Sequence, residues 1–112
     1  VSPARGWRYA PRAERDVEEI LSRLVLDSGR PDLAQAFVTD LERTLEHVCR
    51  FPRSGGECRV LWRAARDARA RELLRFSKYL VFYVHRRGAI VVLRVLHGSR
   101  DIADRRGADR AR

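Results

Sequence analysis

A chain of 112 residues has room for one compact domain, of a size that buries about 65% of its unfolded surface and needs no staples to hold a modest core. With 45% hydrophobic and 35% charged residues it lies away from disordered and collagenous compositions, and its apolar runs, such as Ala89 to Leu93, are too short to cross a bilayer. Arginine and lysine outnumber aspartate and glutamate by 24 to 15, a net charge of +9 in which only Lys78 is lysine; such a surface draws an anionic partner.

Trp7-Arg8-Tyr9 is a short β-favouring stretch that stops at Pro11, a residue suited to the first position of a helix, where its missing N–H costs nothing. Ala13, Val17, Ile20, Leu21, Leu24 and Val25 then recur on one helix face, with Arg12, Glu14, Arg15, Glu18, Glu19 and Arg23 mostly outside it. Asp27-Ser28-Gly29-Arg30-Pro31 ends that helix and begins another, with glycine as the C-terminal cap and proline as the new N-terminus. The second stripe is Leu33, Ala34, Phe37, Leu41, Leu45 and Val48, and it ends before Pro52. A connection this short predicts an antiparallel helical hairpin, and both stripes require a sheet beneath them.

Phe51 to Gly56 reads as loop, and Cys58 to Ala70 gives no clear period, with Val60, Leu61 and Trp62 compatible with either a strand or a helical turn. Tyr79 to His85 is β-branched and aromatic; Arg86-Arg87-Gly88 supplies a tight turn, and Ala89 to His97 returns as a second long strand. Both strands are nearly continuous in apolar residues, so the sheet is expected to be buried on both faces. The fold class is therefore α+β: an N-terminal strand, then an antiparallel helical hairpin packed on a small antiparallel sheet, then a basic C-terminal tail. One domain over 1–112 is expected, with flexible ends at 1–6 and 102–112.

No phosphate loop, nucleophile elbow, HExxH or paired-cysteine motif is present, so no cofactor and no metal are expected. Cys49 and Cys58 read as two reduced thiols of a cytosolic protein. Of the three histidines, His47 reads as solvated and His85 as the end of a strand, while His97 stands where the last strand opens into a loop. Many arginines interleave with acids on the helices, and a solvated salt-bridged face accounts for them. Arg71, Arg75 and Arg94 instead lie within apolar strand patterns, where a cation lines a sheet face, pairs with a carboxylate, contacts a ligand, or packs its stem with its head in water. Tyr79 and Tyr83 share a strand face; with arginine beside them they suit RNA stacking, or equally a core-edge aromatic with a satisfied hydroxyl.

Tyr9-Ala10-Pro11-Arg12-Ala13-Glu14-Arg15-Asp16, then Arg71-Glu72-Leu73-Leu74, Tyr79 to Val84, and Val92 to Asp101 together resemble the ParE/RelE toxin superfamily in order. The closing Val-Leu-His-Gly-x-Arg-Asp is similar to its ParE, or plasmid-stabilisation, branch. The resemblance implies a type II toxin held inactive by a cognate antitoxin whose acidic C-terminal segment wraps it, in a hetero-oligomer with no membrane partner. RelE-type members cut mRNA on the ribosome with strand-borne lysine and arginine and a C-terminal tyrosine or histidine. On that pattern Arg71 and Arg100 match basic positions, but Leu73 and Leu80 stand where that branch has basic groups, and no aromatic residue follows Tyr83. ParE-type members inhibit DNA gyrase and need no such set. The expected function is therefore a ParE-like gyrase inhibitor; the alternatives are a ribosome-dependent endoribonuclease or a non-toxic basic binding module. The residues implied for target binding are Arg71, Arg75, Tyr83, Arg94, His97, Arg100 and Asp101, with no catalytic residue among them.

Overall fold

The computed structural model describes residues 2–58 and 66–99. Strand β1 (Trp7–Tyr9) leads into helix α1 (Pro11–Ser22), a π-helical turn over Arg23–Asp27, and helix α2 (Pro31–Arg50). Strands β2 (Gly56–Glu57), β3 (Arg69–Glu72), β4 (Tyr79–Arg86) and β5 (Ala89–His97) follow. Pro11 and Pro31 each open a helix, the position where proline's fixed φ and missing donor are harmless. Gly29 sits between the helices at φ +60°, in the left-handed region glycine enters without strain. The π turn, closed by the Ser28 N–H to the Arg23 carbonyl at 3.2 Å, widens the last turn of the first helix and ends its register. That is why Val25, expected on the apolar stripe, is 41% exposed and Leu26 79% exposed.

The sheet has five strands in the order β1-β5-β4-β3-β2. It is mixed rather than wholly antiparallel, since β1 runs parallel to β5 along the edge. Two residues of the expected loop, Gly56 and Glu57, pair with Ala70 and Arg69 as an additional strand. Between β4 and β5, Arg87 (φ 51°) and Gly88 (φ 78°) form a two-residue turn with both central residues at positive φ, the geometry that matches strand twist.

Both helices cover one sheet face. Ala13, Ile20, Phe37, Leu41, Leu45 and Val48 meet Leu73, Val81, Tyr83, Ile90, Val92 and Val95 in the main core. The other face carries two smaller clusters, around Phe82 and Leu96 and around Ala68, Val84 and Val91, so β4 and β5 are covered on both faces as their continuous apolar runs predict. Val92 and Val95 are three residues apart, yet both enter the main core. A bulge allows it: Phe82 pairs with Arg94 and Tyr83 with Val92, leaving Leu93 as the extra residue. The N-terminal segment expected to be loose is tied down from Ala4, whose N–H reaches the Cys49 carbonyl at 2.7 Å, with Arg5 bonded to the Gly88 carbonyl. Cys49 is buried, and burial pushes its thiol above its ordinary range.

Candidate functional site

Three polar anchors fix the surface where the implied residues lie. The first is at the β5 edge. β1 pairs only as far as Val92, and beyond it the Asp16 carboxylate of α1 takes the place of a strand. It receives the Val95 N–H at 3.0 Å and both the Nε (2.7 Å) and Nη2 (2.9 Å) of Arg94. The two side chains are only 10–11% exposed, so this is a bidentate pair largely withdrawn from water.

The second anchor is Asp40 and Thr44, one turn apart on α2. Thr44 Oγ1 accepts the Leu74 N–H at 3.1 Å, and Asp40 accepts those of Arg75 (3.0 Å) and Phe76 (2.8 Å). Three consecutive amides of the β3–β4 turn are thereby held on the helix, and Thr44 returns its own proton to the Asp40 carbonyl. Arg75 thus lies in this turn and not within a strand. Its backbone is fixed while its exposed guanidinium stands 5.6 Å from the Phe76 ring centre.

The third anchor is Tyr83. Its hydroxyl donates to the Pro52 carbonyl at 2.7 Å and accepts the Gly55 N–H at 3.0 Å, and Arg69 Nη1 donates to the Gly55 carbonyl at 2.7 Å. Gly55 is required there: a Cβ would lie 2.8 Å from both the Ala70 carbonyl and the Tyr83 hydroxyl. Asp67 and Arg86 form a further ion pair at the exposed rim, which lowers the Asp67 carboxyl and raises the Arg86 guanidinium.

These contacts divide the implied residues. Tyr83, at 1% exposure, is the satisfied core aromatic and not a stacking surface; Arg94 is engaged by Asp16. Arg71, Arg75 and His97 lie toward one end of the sheet, where β3 and β5 finish and β4 begins. There Tyr79 meets His97 edge-on at 5.2 Å, and the Gly98 N–H ties the end of β5 to the Lys78 carbonyl. Ser99 N–H approaches His97 Nδ1 at 3.3 Å, an arrangement that makes Nδ1 the acceptor and leaves the neutral ring's proton on Nε2. On α2, burial and then the charges of Arg71 and Arg50 hold the His47 imidazole below its ordinary range. Arg100 and Asp101, like Val60, Leu61 and Trp62, lie outside the described residues.

The anchoring residues Asp16, Asp40 and Thr44 were not singled out by the sequence reading. Their signal was present: each occupies a position on an apolar helix stripe, Asp16 between Ala13 and Ile20, and Asp40 and Thr44 between Phe37 and Val48. A polar residue at a core position marks a buried bond to another element.

Residues 7–102 match the family described as the ParE toxin of the type II toxin-antitoxin system parDE. The chain belongs to the ParE toxin family. Comparison with curated proteins gives no match. Among solved structures, this ParE-family chain is similar to one from the "Chromosomal ParDE TA system from P. aeruginosa", at 17% identity and a TM-score of 0.64, covering 82% of this chain and 94% of that one. At that identity the likeness supports the shared fold. Among the described residues of this family member, no helix is long and apolar enough to cross a membrane.

Proposed function

We propose that this ParE-family toxin arrests growth by inhibiting DNA gyrase, and that a cognate antitoxin with an acidic C-terminal segment neutralises it. The family match over residues 7–102 carries the reading, because it falls on the ParE branch and spans both the helical hairpin and the strands. The similar solved chain comes from a ParDE system, and a net charge of +9 suits an acidic partner. The target-contacting residues under this proposal are Arg71, Arg75 and His97, with Arg100 and Asp101 beyond them.

The chemistry of the sheet supports a binder over a nuclease. General acid–base cleavage of RNA needs cations and a titratable group free to reach the scissile phosphate. Arg94 is bound to Asp16, the Tyr83 hydroxyl is buried and doubly bonded, and Leu73, where the ribonuclease branch has a basic group, is 1% exposed.

The test is a supercoiling and DNA-cleavage assay with purified gyrase and the intact chain, with and without the antitoxin. Inhibition with trapped cleavage complexes, reversed by the antitoxin, is the expected result, and Arg71→Ala relieves it without unfolding the protein. Unimpaired gyrase together with ribosome-dependent mRNA cleavage overturns the proposal in favour of the nuclease. Inactivity in both assays by folded protein points to a binding module that has lost toxicity.

A further inference from the structure

Strand β3 outlasts its neighbour. β2 pairs with β3 only at Arg69 and Ala70, whereas Arg71 and Glu72 continue with β4 on one side alone. A cleft of about 390 Å³ opens beside this overhang, lined by Ser54, Arg71, Glu72, Leu73 and Leu74 among others. Two polar atoms of its lining residues, Arg71 Nε and Ser54 Oγ, are buried and have no hydrogen-bond partner among the described residues.

An arginine Nε carries a proton and cannot accept, so its need is for an acceptor alone. A serine hydroxyl can turn its proton toward the same acceptor. The equivalent atom of Arg94 shows what satisfies such a group: a carboxylate oxygen at 2.7 Å. No such oxygen reaches the Arg71 Nε from the described residues. Its charge reaches His47 on the last turns of α2, which Arg50 also faces, and Arg69 precedes it on its own strand. A neutral acceptor meets the hydrogen bond but not the charge, while an anionic oxygen meets both, and charge-assisted bonds are roughly twice as strong as neutral ones. Glu72 at the rim disfavours more than one or two negative charges, and Leu74, 52% exposed, offers apolar contact to whatever carries the anion.

We infer that the cleft between Ser54 and Arg71 is an oxyanion site that takes a single carboxylate or phosphate group. The site stands whether or not gyrase is the target, since it rests on two donors unmet among the described residues and the cleft that both residues line.

The experiment is a titration of the full chain by NMR, following the Arg71 Nε–H and Ser54 amide signals at constant ionic strength, with sodium acetate in one arm and inorganic phosphate in the other. A saturating shift of both signals at millimolar anion is expected, while the exposed Arg12 drifts linearly. Stronger saturation by acetate assigns the source as an acidic side chain; stronger saturation by phosphate assigns a phosphate group. Arg71→Gln abolishes the saturating response and Arg12→Gln leaves it intact. Ser54→Ala weakens binding about fivefold, the equivalent of one neutral hydrogen bond. Arg71→Lys keeps the charge without the Nε–H and loses most of the response, which covers the case in which the glutamine variant fails to fold. Linear drift in both arms, or an unchanged curve in either Arg71 variant, overturns the site.

Discussion

Arg94 and Arg71 begin from the same sequence signal, a guanidinium inside a run of strand residues, and differ in what meets the Nε. Arg94 stands where β5 passes α1, and Asp16, 78 positions earlier, receives two of its nitrogens and a neighbouring backbone amide. Arg71 stands where β3 passes the end of α2, and its charge reaches His47, which Arg50 also faces. The strand pattern is the same in both places. What differs is the residue that the packed helix brings across, and a helix residue arrives by topology, not by spacing along the strand.

The sharpest way to break this comparison is to remove the counter-charge from Arg94. Asp16→Asn keeps an acceptor for the Val95 N–H but leaves a nearly buried guanidinium unpaired, and stability to urea should fall by about 3–5 kcal/mol. Adding Arg94→Met should recover a large part of that loss, because a buried pair replaced by packed apolar groups is often close to neutral. Additive losses in the double variant would mean that the two residues act separately.

Next in size is the Tyr83 latch. Tyr83→Phe leaves the Pro52 carbonyl and the Gly55 N–H without their partner, and a loss of about 1–3 kcal/mol is expected in the same denaturation experiment. If Tyr83 were instead a target-contacting residue, the phenylalanine variant would lose toxicity at unchanged stability.

How much of this was legible beforehand follows the same division between local and distant causes. The helix starts at Pro11 and Pro31, the break at Gly29 and the turn at Arg87-Gly88 are set by backbone chemistry within one or two residues. The apolar stripes placed both helices on one face of the sheet, and the continuous runs of β4 and β5 placed them at its centre. Strand β2 was not legible, because two residues with glycine at one of them carry no alternation to detect. Nor was the bulge that brings Val92 and Val95 to the same face, since it depends on the register with β4. For the site, the strand pattern shows the cations but not which of them a helix carboxylate meets: Asp16 receives the Nε of Arg94, while the Nε of Arg71 has no partner among the described residues. The same pattern also placed Arg75 in a strand, although Asp40 holds its amide in a turn.

Arg71 supplies a smaller effect with the opposite expectation from Arg94. Since its Nε has no acceptor among the described residues, Arg71→Gln should leave stability within about 0.5 kcal/mol of the parent, the range of substitutions that break no named interaction. A loss comparable with that of Asp16→Asn would mean that Arg71 is as fully engaged as Arg94, and the contrast between the two would collapse.

The smallest effect is the most specific, because His47 reports the charge on Arg71. Burial, Arg71 and Arg50 lower its pKa from 6.5, so the folded protein resists a proton that the unfolded chain accepts. The unfolded state then binds more protons, and stability rises with pH. The contribution is neutral above 6.5, becomes a penalty as the pH falls through that value, and is complete below the folded pKa. His47→Gln should therefore flatten part of the decline in melting temperature between about pH 7.5 and about pH 5.5. In Arg71→Gln, NMR titration should show the His47 pKa moving back up, though not fully, because burial and Arg50 remain. An oxyanion seated on Arg71 neutralises the same charge and must move His47 in the same direction. A His47 pKa that rises with added anion in the parent, and no longer responds once Arg71 is glutamine, would tie Arg71 to its ligand through a third residue.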